Sequence, residues 1–153
     1  MSDSVDTLDP TSRALLPVMR NFLNAYLSPE TLGWRHALAA AVGTWGEPRG
    51  LAIANHVQSF LGAVLNSRPV PLIFADPMDL EARKLLTQDE RVLLALLTAM
   101  GREETPRARD LIARLTGGRV EAAIVRSGLS LAARLDPIGT PKPLPRPKLQ
   151  SVG

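Results

Sequence analysis

The stretch from Thr87 to Met100 constrains the fold most, because it is apolar around most of a helix. Thr87 and Glu90 have the spacing of a capping box, in which a hydroxyl and a carboxylate each accept a hydrogen bond from a backbone N–H group. Residues 92–100 read Val-Leu-Leu-Ala-Leu-Leu-Thr-Ala-Met, so only a narrow polar line remains. At about 1.5 Å per residue the segment spans roughly 20 Å, too short to cross a bilayer. The pattern predicts a buried helix at the centre of a helical core.

Capping residues and apolar periodicity predict further helices on both sides of this one. We expect them at 10–27, 29–45, 49–66, 77–85, 106–116 and 119–135, the 77–85 helix being short. Residues 67–75 lack a helical period and contain two prolines at alternate positions, which predicts an extended strap across the core. The predicted fold is all-α, a single compact helical bundle of about six helices over residues 10–135.

Two details of the first helices bear on their packing. In the first helix, Arg13, Pro17 and Arg20 are expected on the polar side, opposite a wide apolar face. In the second, Gly33, Ala37, Ala40 and Thr44 form a line of small residues. A neighbouring backbone is expected to approach closely along that line.

The two ends of the chain differ in charge from the predicted bundle. Residues 1–9 form an acidic leader with no apolar run, which we interpret as disordered and not as a secretory signal. Residues 136–153 form a proline-rich basic tail that cannot build a core. Residues 101–153 contain 10 Lys/Arg and 5 Asp/Glu, whereas residues 1–100 contain 8 and 10, so the excess positive charge is C-terminal. This asymmetry indicates either an anionic partner or an arginine-rich surface that keeps the protein in solution.

Residue types that carry out chemistry are scarce in this chain. It has no cysteine, which excludes disulfides, thiolate catalysis and cysteine-ligated metals, and fits a cytoplasmic location. None of the common nucleotide-binding, hydrolase or zinc-protease motifs occurs. The two histidines, His36 and His56, could face each other across the second and third helices and form a weak metal or acid–base site with Glu47; the alternative is two boundary histidines. We therefore predict no catalytic residue, no metal and no cofactor.

Trp34 and Trp45 lie on one line of the second helix, three turns apart. Such a line is either covered by a neighbouring helix or exposed as an apolar stripe that a partner contacts. These two residues are the candidate partner-binding residues.

The last three predicted helices have the order of a tri-helical helix-turn-helix unit over residues 87–135. In that arrangement Gly117 forms the turn, and Val120 and Ile124 face back onto the unit. The candidate nucleic-acid-binding residues are all basic: Arg107, Arg109, Arg119, Arg126, Lys142, Arg146 and Lys148. Two features weaken the match, because Gly118 stands where an apolar residue is expected and the third helix lacks the Asn and Gln that read bases.

Our interpretation is a small, non-catalytic helical binding or regulatory module that acts through protein–protein contacts. Its partner is expected to be another protein or a second copy of this chain, with no membrane involved. The alternative is a DNA-binding regulator that uses the C-terminal three helices. A weaker third hypothesis is an enzyme or metalloprotein that uses His36 and His56.

Overall fold

Six α-helices make up most of the chain that the computed structural model describes, residues 3–135. They are α1 (Pro10–Leu27), α2 (Gly33–Trp45), α3 (Glu47–Ser67), α4 (Gln88–Gly101), α5 (Thr105–Thr116) and α6 (Ala122–Ala132). The predicted all-α fold is confirmed. In the described range, no helix combines the length and the apolar character that crossing a membrane requires.

The start of the described chain pairs with the segment before α4. Strand β1 (Asp3–Ser4) runs antiparallel to β2 (Leu85–Leu86), and a 3-10 turn at Val5–Thr7 leads into α1. These residues belong to the leader that was predicted to be disordered, so the structure differs from that expectation between Asp3 and Thr7. The predicted tail, 136–153, lies outside the described residues.

The structure also differs from the predictions for the helices at 77–85 and 29–45. The short helix expected over 77–85 is instead an irregular segment that ends in a 3-10 turn at Ala82–Lys84 and strand β2. The second helix begins at Gly33 and not at Pro29, because Pro29–Thr31 form a 3-10 turn and Leu32 adopts a left-handed conformation with φ of 55°. A residue in that conformation interrupts the helical path, so the 3-10 turn and α2 cannot form one continuous helix.

Helix α4 lies in the middle of the core, as the sequence predicted. Leu93, Leu96 and Leu97 are fully buried, and both hydrogen bonds of the Thr87/Glu90 capping box form. Helices α5 and α6 both pack on α4, α6 also packs on α3, and α1, α2 and α3 pack on one another. The core therefore extends through all six helices.

Close contact between helix backbones joins α1, α2 and α3. A Cβ atom at Gly33 would lie 2.3 Å from the carbonyl oxygen of Asn21 in α1. A Cβ atom at Gly50 would lie 2.6 Å from the carbonyl oxygen of Ala41 in α2. Both positions therefore require glycine. The close approach predicted along the small-residue line is present at Gly33, and Ala37 is buried, whereas Thr44 at the end of that line is exposed.

A buried ion pair holds α1 against the start of α4. Arg20 Nε donates to Glu90 Oε2 at 2.6 Å, and Arg20 Nη2 donates to Oε1 at 2.9 Å. The same carboxylate accepts hydrogen bonds from the backbone N–H groups of Ala75 and Thr87. The side chains of Arg20 and Glu90 are 4% and 1% exposed. The prediction that Arg20 lies on the polar side of the first helix is therefore wrong, because a partner 70 residues away compensates its charge inside the core.

Candidate functional site

An open groove separates α5 from α6. Its volume is about 550 Å³, and the C-terminal end of α4 forms its floor through Ala99 and Met100. Ala108 and Ile112 of α5 form one wall. Val125 and Leu129 form the other, with Val120 from the segment just before α6. We call this feature the α5–α6 groove.

Local sequence features keep the two walls apart. Gly117 and Gly118 have positive φ angles of 80° and 116°, so the chain turns sharply where α5 ends. Arg119 N–H then donates to the hydroxyl of Thr116, which fixes the path of the turn. The chain reaches Ala122 before α6 begins, and α6 runs along α3 and α4 with few contacts to α5.

The floor of the groove depends on a third glycine. A Cβ atom at Gly128 would lie 2.5 Å from the sulfur of Met100 and 3.2 Å from a ring carbon of Phe60. The thioether of Met100 in α4 therefore packs directly on Gly128 of α6. A thioether side chain is flexible and adapts its shape to what packs on it.

Large apolar side chains line the groove but remain open to solvent. Val120 is 53% exposed and Leu129 is 48% exposed. Val120 was predicted to be buried in the last helix; that prediction is wrong, because the helix begins two residues after it. Ile124, which was predicted to face back onto the unit, is buried, as are Leu131 and Leu135. The sequence signal that could have indicated the groove is the presence of Val125 and Leu129 at a spacing of four residues, beside the buried row of α6.

Charged residues lie along the edge of the groove. Glu103 and Glu104, which form the turn between α4 and α5, line one end, and Arg109 lies along the α5 side. Glu104 is 3.8 Å from Arg102, whereas Glu103 is exposed with a left-handed φ of 58°. The end of the groove near the α4–α5 turn is therefore acidic.

The two candidate tryptophans have different environments. Trp34 is 45% exposed at the start of α2, and the guanidinium carbon of Arg35 lies 5.3 Å from the centre of its ring. Trp45 ends α2 and is partly buried against the core. The two residues therefore do not form one exposed stripe, and only Trp34 offers a large open surface.

The candidate nucleic-acid-binding arginines are distributed over several surfaces. Arg107 lines a pocket beside α1 and α4, whereas Arg109 lines the α5–α6 groove. Arg119 pairs with Glu121 at 3.5 Å, and Arg126 faces α3 beside His56. Lys142, Arg146 and Lys148 lie outside the described residues. Arg107, Arg109 and Arg126 therefore line three different pockets, and DNA binding stays a prediction.

The histidines occupy different environments on neighbouring helices. His36 is exposed on α2, and His56 is partly buried on α3 where it faces Ser127 and Ser130 of α6. Burial lowers the pKa of the His56 imidazole, and the nearby charge of Arg134 lowers it further. In residues 3–135, no group of three or more His, Asp or Glu side chains is arranged to hold a metal ion.

Comparison with known proteins identifies no relative: no protein-family model, no curated protein and no solved structure matches this chain.

Proposed function

We propose that this protein is a small non-catalytic binding module that acts through protein–protein contacts, and that it takes up an amphipathic helix of a partner protein in the α5–α6 groove. The observation that carries the proposal is the groove itself, about 550 Å³ in volume and lined by apolar side chains from three helices. Helix-in-groove recognition uses this kind of surface, with an apolar helix face as the ligand.

The exposed apolar area supports a partner. Val120 and Leu129 keep about half of their surfaces in water although they adjoin a continuous apolar floor. Burying such side chains against a partner stabilises the complex by about 25 cal/mol for each Å² of apolar surface removed from water. The flexible Met100 at the floor can adjust to the side chain that enters.

The charges at the edge indicate which partner chemistry fits. Glu103 and Glu104 favour a basic residue at the end of the partner helix that lies near the α4–α5 turn. Arg109 favours an acidic residue on the side that faces α5. The expected ligand is therefore an amphipathic helix with apolar residues at i, i+3, i+4 and i+7 and a Lys or Arg at one end.

A display selection tests the proposal directly. A library of helical peptides on one fixed scaffold is selected against the wild-type protein, and the enriched peptides are then tested for binding to the Leu129→Glu variant. We expect the enriched peptides to contain the apolar spacing above and a basic residue at one end. Their binding should shift the amide resonances of Met100, Ile112 and Val125.

Leu51→Glu is the matched control, because Leu51 is 43% exposed on α3, outside the groove. It should leave peptide binding unchanged, whereas Glu103→Lys should weaken the binding of peptides with a basic end. Peptides that bind wild type and Leu129→Glu equally, or that shift only residues around Trp34, would contradict the proposal. Concentration-dependent dimerisation that disappears in Leu129→Glu would show instead that a second copy occupies the groove.

A further inference from the structure

A second concave site lies along α1 and shares no lining residue with the α5–α6 groove. It measures about 360 Å³, which is at the small end of the range of roughly 300–1,000 Å³ that ligand sites occupy. Its basic residues are Arg13, Arg20, Arg83 and Lys84, and its apolar residues are Val5, Leu16, Pro17 and Pro77. Asn21 completes the lining, and among residues 4–135 no carboxylate side chain belongs to it. We call this site the basic pocket.

The guanidinium of Arg13 is held in place by the backbone. Its Nη2 donates to the carbonyl oxygens of Asp6 and Leu8, at 2.8 and 3.1 Å. These contacts fix the group without neutralising it, because carbonyl groups carry no net charge. Among residues 4–135, no carboxylate lies within ion-pair distance of Arg13.

Arg20 lies in the wall of the pocket, and its charge is compensated by the buried carboxylate of Glu90. Four hydrogen bonds use its N–H groups: two to Glu90, one to the carbonyl of Arg83 and one to the carbonyl of Leu85. A guanidinium has five N–H donors, so one N–H on Nη1 remains. Glu90 and the two carbonyls hold this guanidinium in one position in the pocket wall.

The remaining two basic residues close the outer edge. Arg83 is exposed, and its backbone carbonyl is the one that Arg20 contacts, so its position along the chain is fixed next to the buried pair. Lys84 lies 3.4 Å from Glu81, but both side chains are more than 60% exposed, which leaves their attraction largely screened by water. Three exposed basic side chains, Arg13, Arg83 and Lys84, therefore surround the apolar part of the pocket.

We propose that the basic pocket binds a small organic anion, a carboxylate carried on a short apolar body. The carboxylate would contact Arg13, Arg83 and the remaining N–H of Arg20. A planar carboxylate matches the fork of N–H donors on a guanidinium. The apolar body would pack on Leu16, Pro17 and Pro77. This site is independent of the α5–α6 groove and needs no protein partner.

The test is a titration with octanoate, monitored by calorimetry and by the NMR resonances of the backbone amides. We expect saturable one-to-one binding that shifts Leu16 and Asn21, and binding of octan-1-ol that is at least about tenfold weaker, because a hydrogen bond to a charged group contributes that much. Octylammonium should not bind. Inorganic phosphate should bind more weakly than octanoate, because it cannot use the apolar floor.

The double variant Arg83→Gln/Lys84→Gln should weaken octanoate binding by about tenfold or more while the protein stays folded, since both side chains are exposed and the Arg83 carbonyl remains. Arg107→Gln/Arg114→Gln, which removes the same charge from α5, should bind octanoate as the wild type does. Leu129→Glu should also retain it, which separates this proposal from the groove. Equal binding of octanoate and octan-1-ol, preference for phosphate, or equal loss in both double variants would overturn the proposal.

Discussion

The contacts among α1, α2 and α3 differ from those between α5 and α6, and small residues account for the difference. At Gly33 and Gly50 the absence of a side chain lets two backbones touch, so no space remains between the helices. Between α5 and α6, the facing residues include Ile112, Val125 and Leu129, yet a gap of about 550 Å³ separates them. Large apolar side chains on two facing helices therefore do not by themselves fill the space between the helices. The close contacts among α1, α2 and α3 stabilise the fold, whereas the α5–α6 groove leaves room for the binding that we propose.

The buried ion pair gives the sharpest test of the closed region. Removing one partner of such a pair leaves an uncompensated buried charge, which costs about 3–5 kcal/mol. We therefore expect Arg20→Met and Glu90→Gln each to lower the free energy of unfolding by about that amount in urea denaturation. The double variant should lose less than the sum of the single losses. Losses below about 1 kcal/mol in both single variants would show that the pair does not hold α1 to α4.

Two leucines of α6 compare the core directly with the groove. Leu131 is fully buried, and Leu131→Ala should cost about 2–5 kcal/mol of unfolding free energy. Leu129 is 48% exposed in the groove wall, and Leu129→Ala should change it by no more than about 0.5 kcal/mol. Urea denaturation measures both. A large loss for Leu129→Ala would mean that the groove wall belongs to the core.

These two comparisons also show what the sequence could and could not predict. Helix α4 was predicted because its capping box and its apolar residues are local, within 14 residues of each other. The burial of Arg20 was missed because its partner, Glu90, is 70 residues away and already had a local role as a cap. Position 20 follows Leu16 by four residues and precedes Leu23 by three, which places it at the edge of the apolar face; that was the available signal.

The candidate site was harder to predict than the fold. Apolar periodicity predicted Val120 inside the last helix, but the glycine turn and the Thr116 hydroxyl delay that helix until Ala122. A shift of a few residues changes which side chains face α5, and periodicity does not define helix boundaries so closely. Trp34 and Trp45 share a helical line, but only the packing of α2 determines which of them is covered.

Glycine substitutions in neighbouring helices test whether backbone contact closes the first three helices. At Gly50 a Cβ atom would lie 2.6 Å from a backbone carbonyl oxygen, so Gly50→Ala should cost about 1–3 kcal/mol through overpacking. At Gly43 in α2 nothing lies within 4 Å, so Gly43→Ala should stabilise the protein by up to about 1 kcal/mol through helix propensity. Thermal and urea unfolding should show opposite signs. Stabilisation by both variants would mean that α2 and α3 can move apart without loss.

The smallest expected effect concerns the interface between α3 and α6. Burial, and then Arg134, lower the pKa of His56 in the folded protein below its ordinary value of 6.5. Protonation therefore favours the unfolded chain, so the stability that the neutral imidazole provides is complete above pH 6.5 and is lost as the pH falls through the folded pKa. We expect the urea midpoint to fall over this range, and to fall less in His56→Asn. His36→Asn removes the other histidine and should still show the wild-type fall, because His56 remains. An identical pH dependence in wild type and His56→Asn would mean that the α3–α6 interface accepts the charged ring without cost.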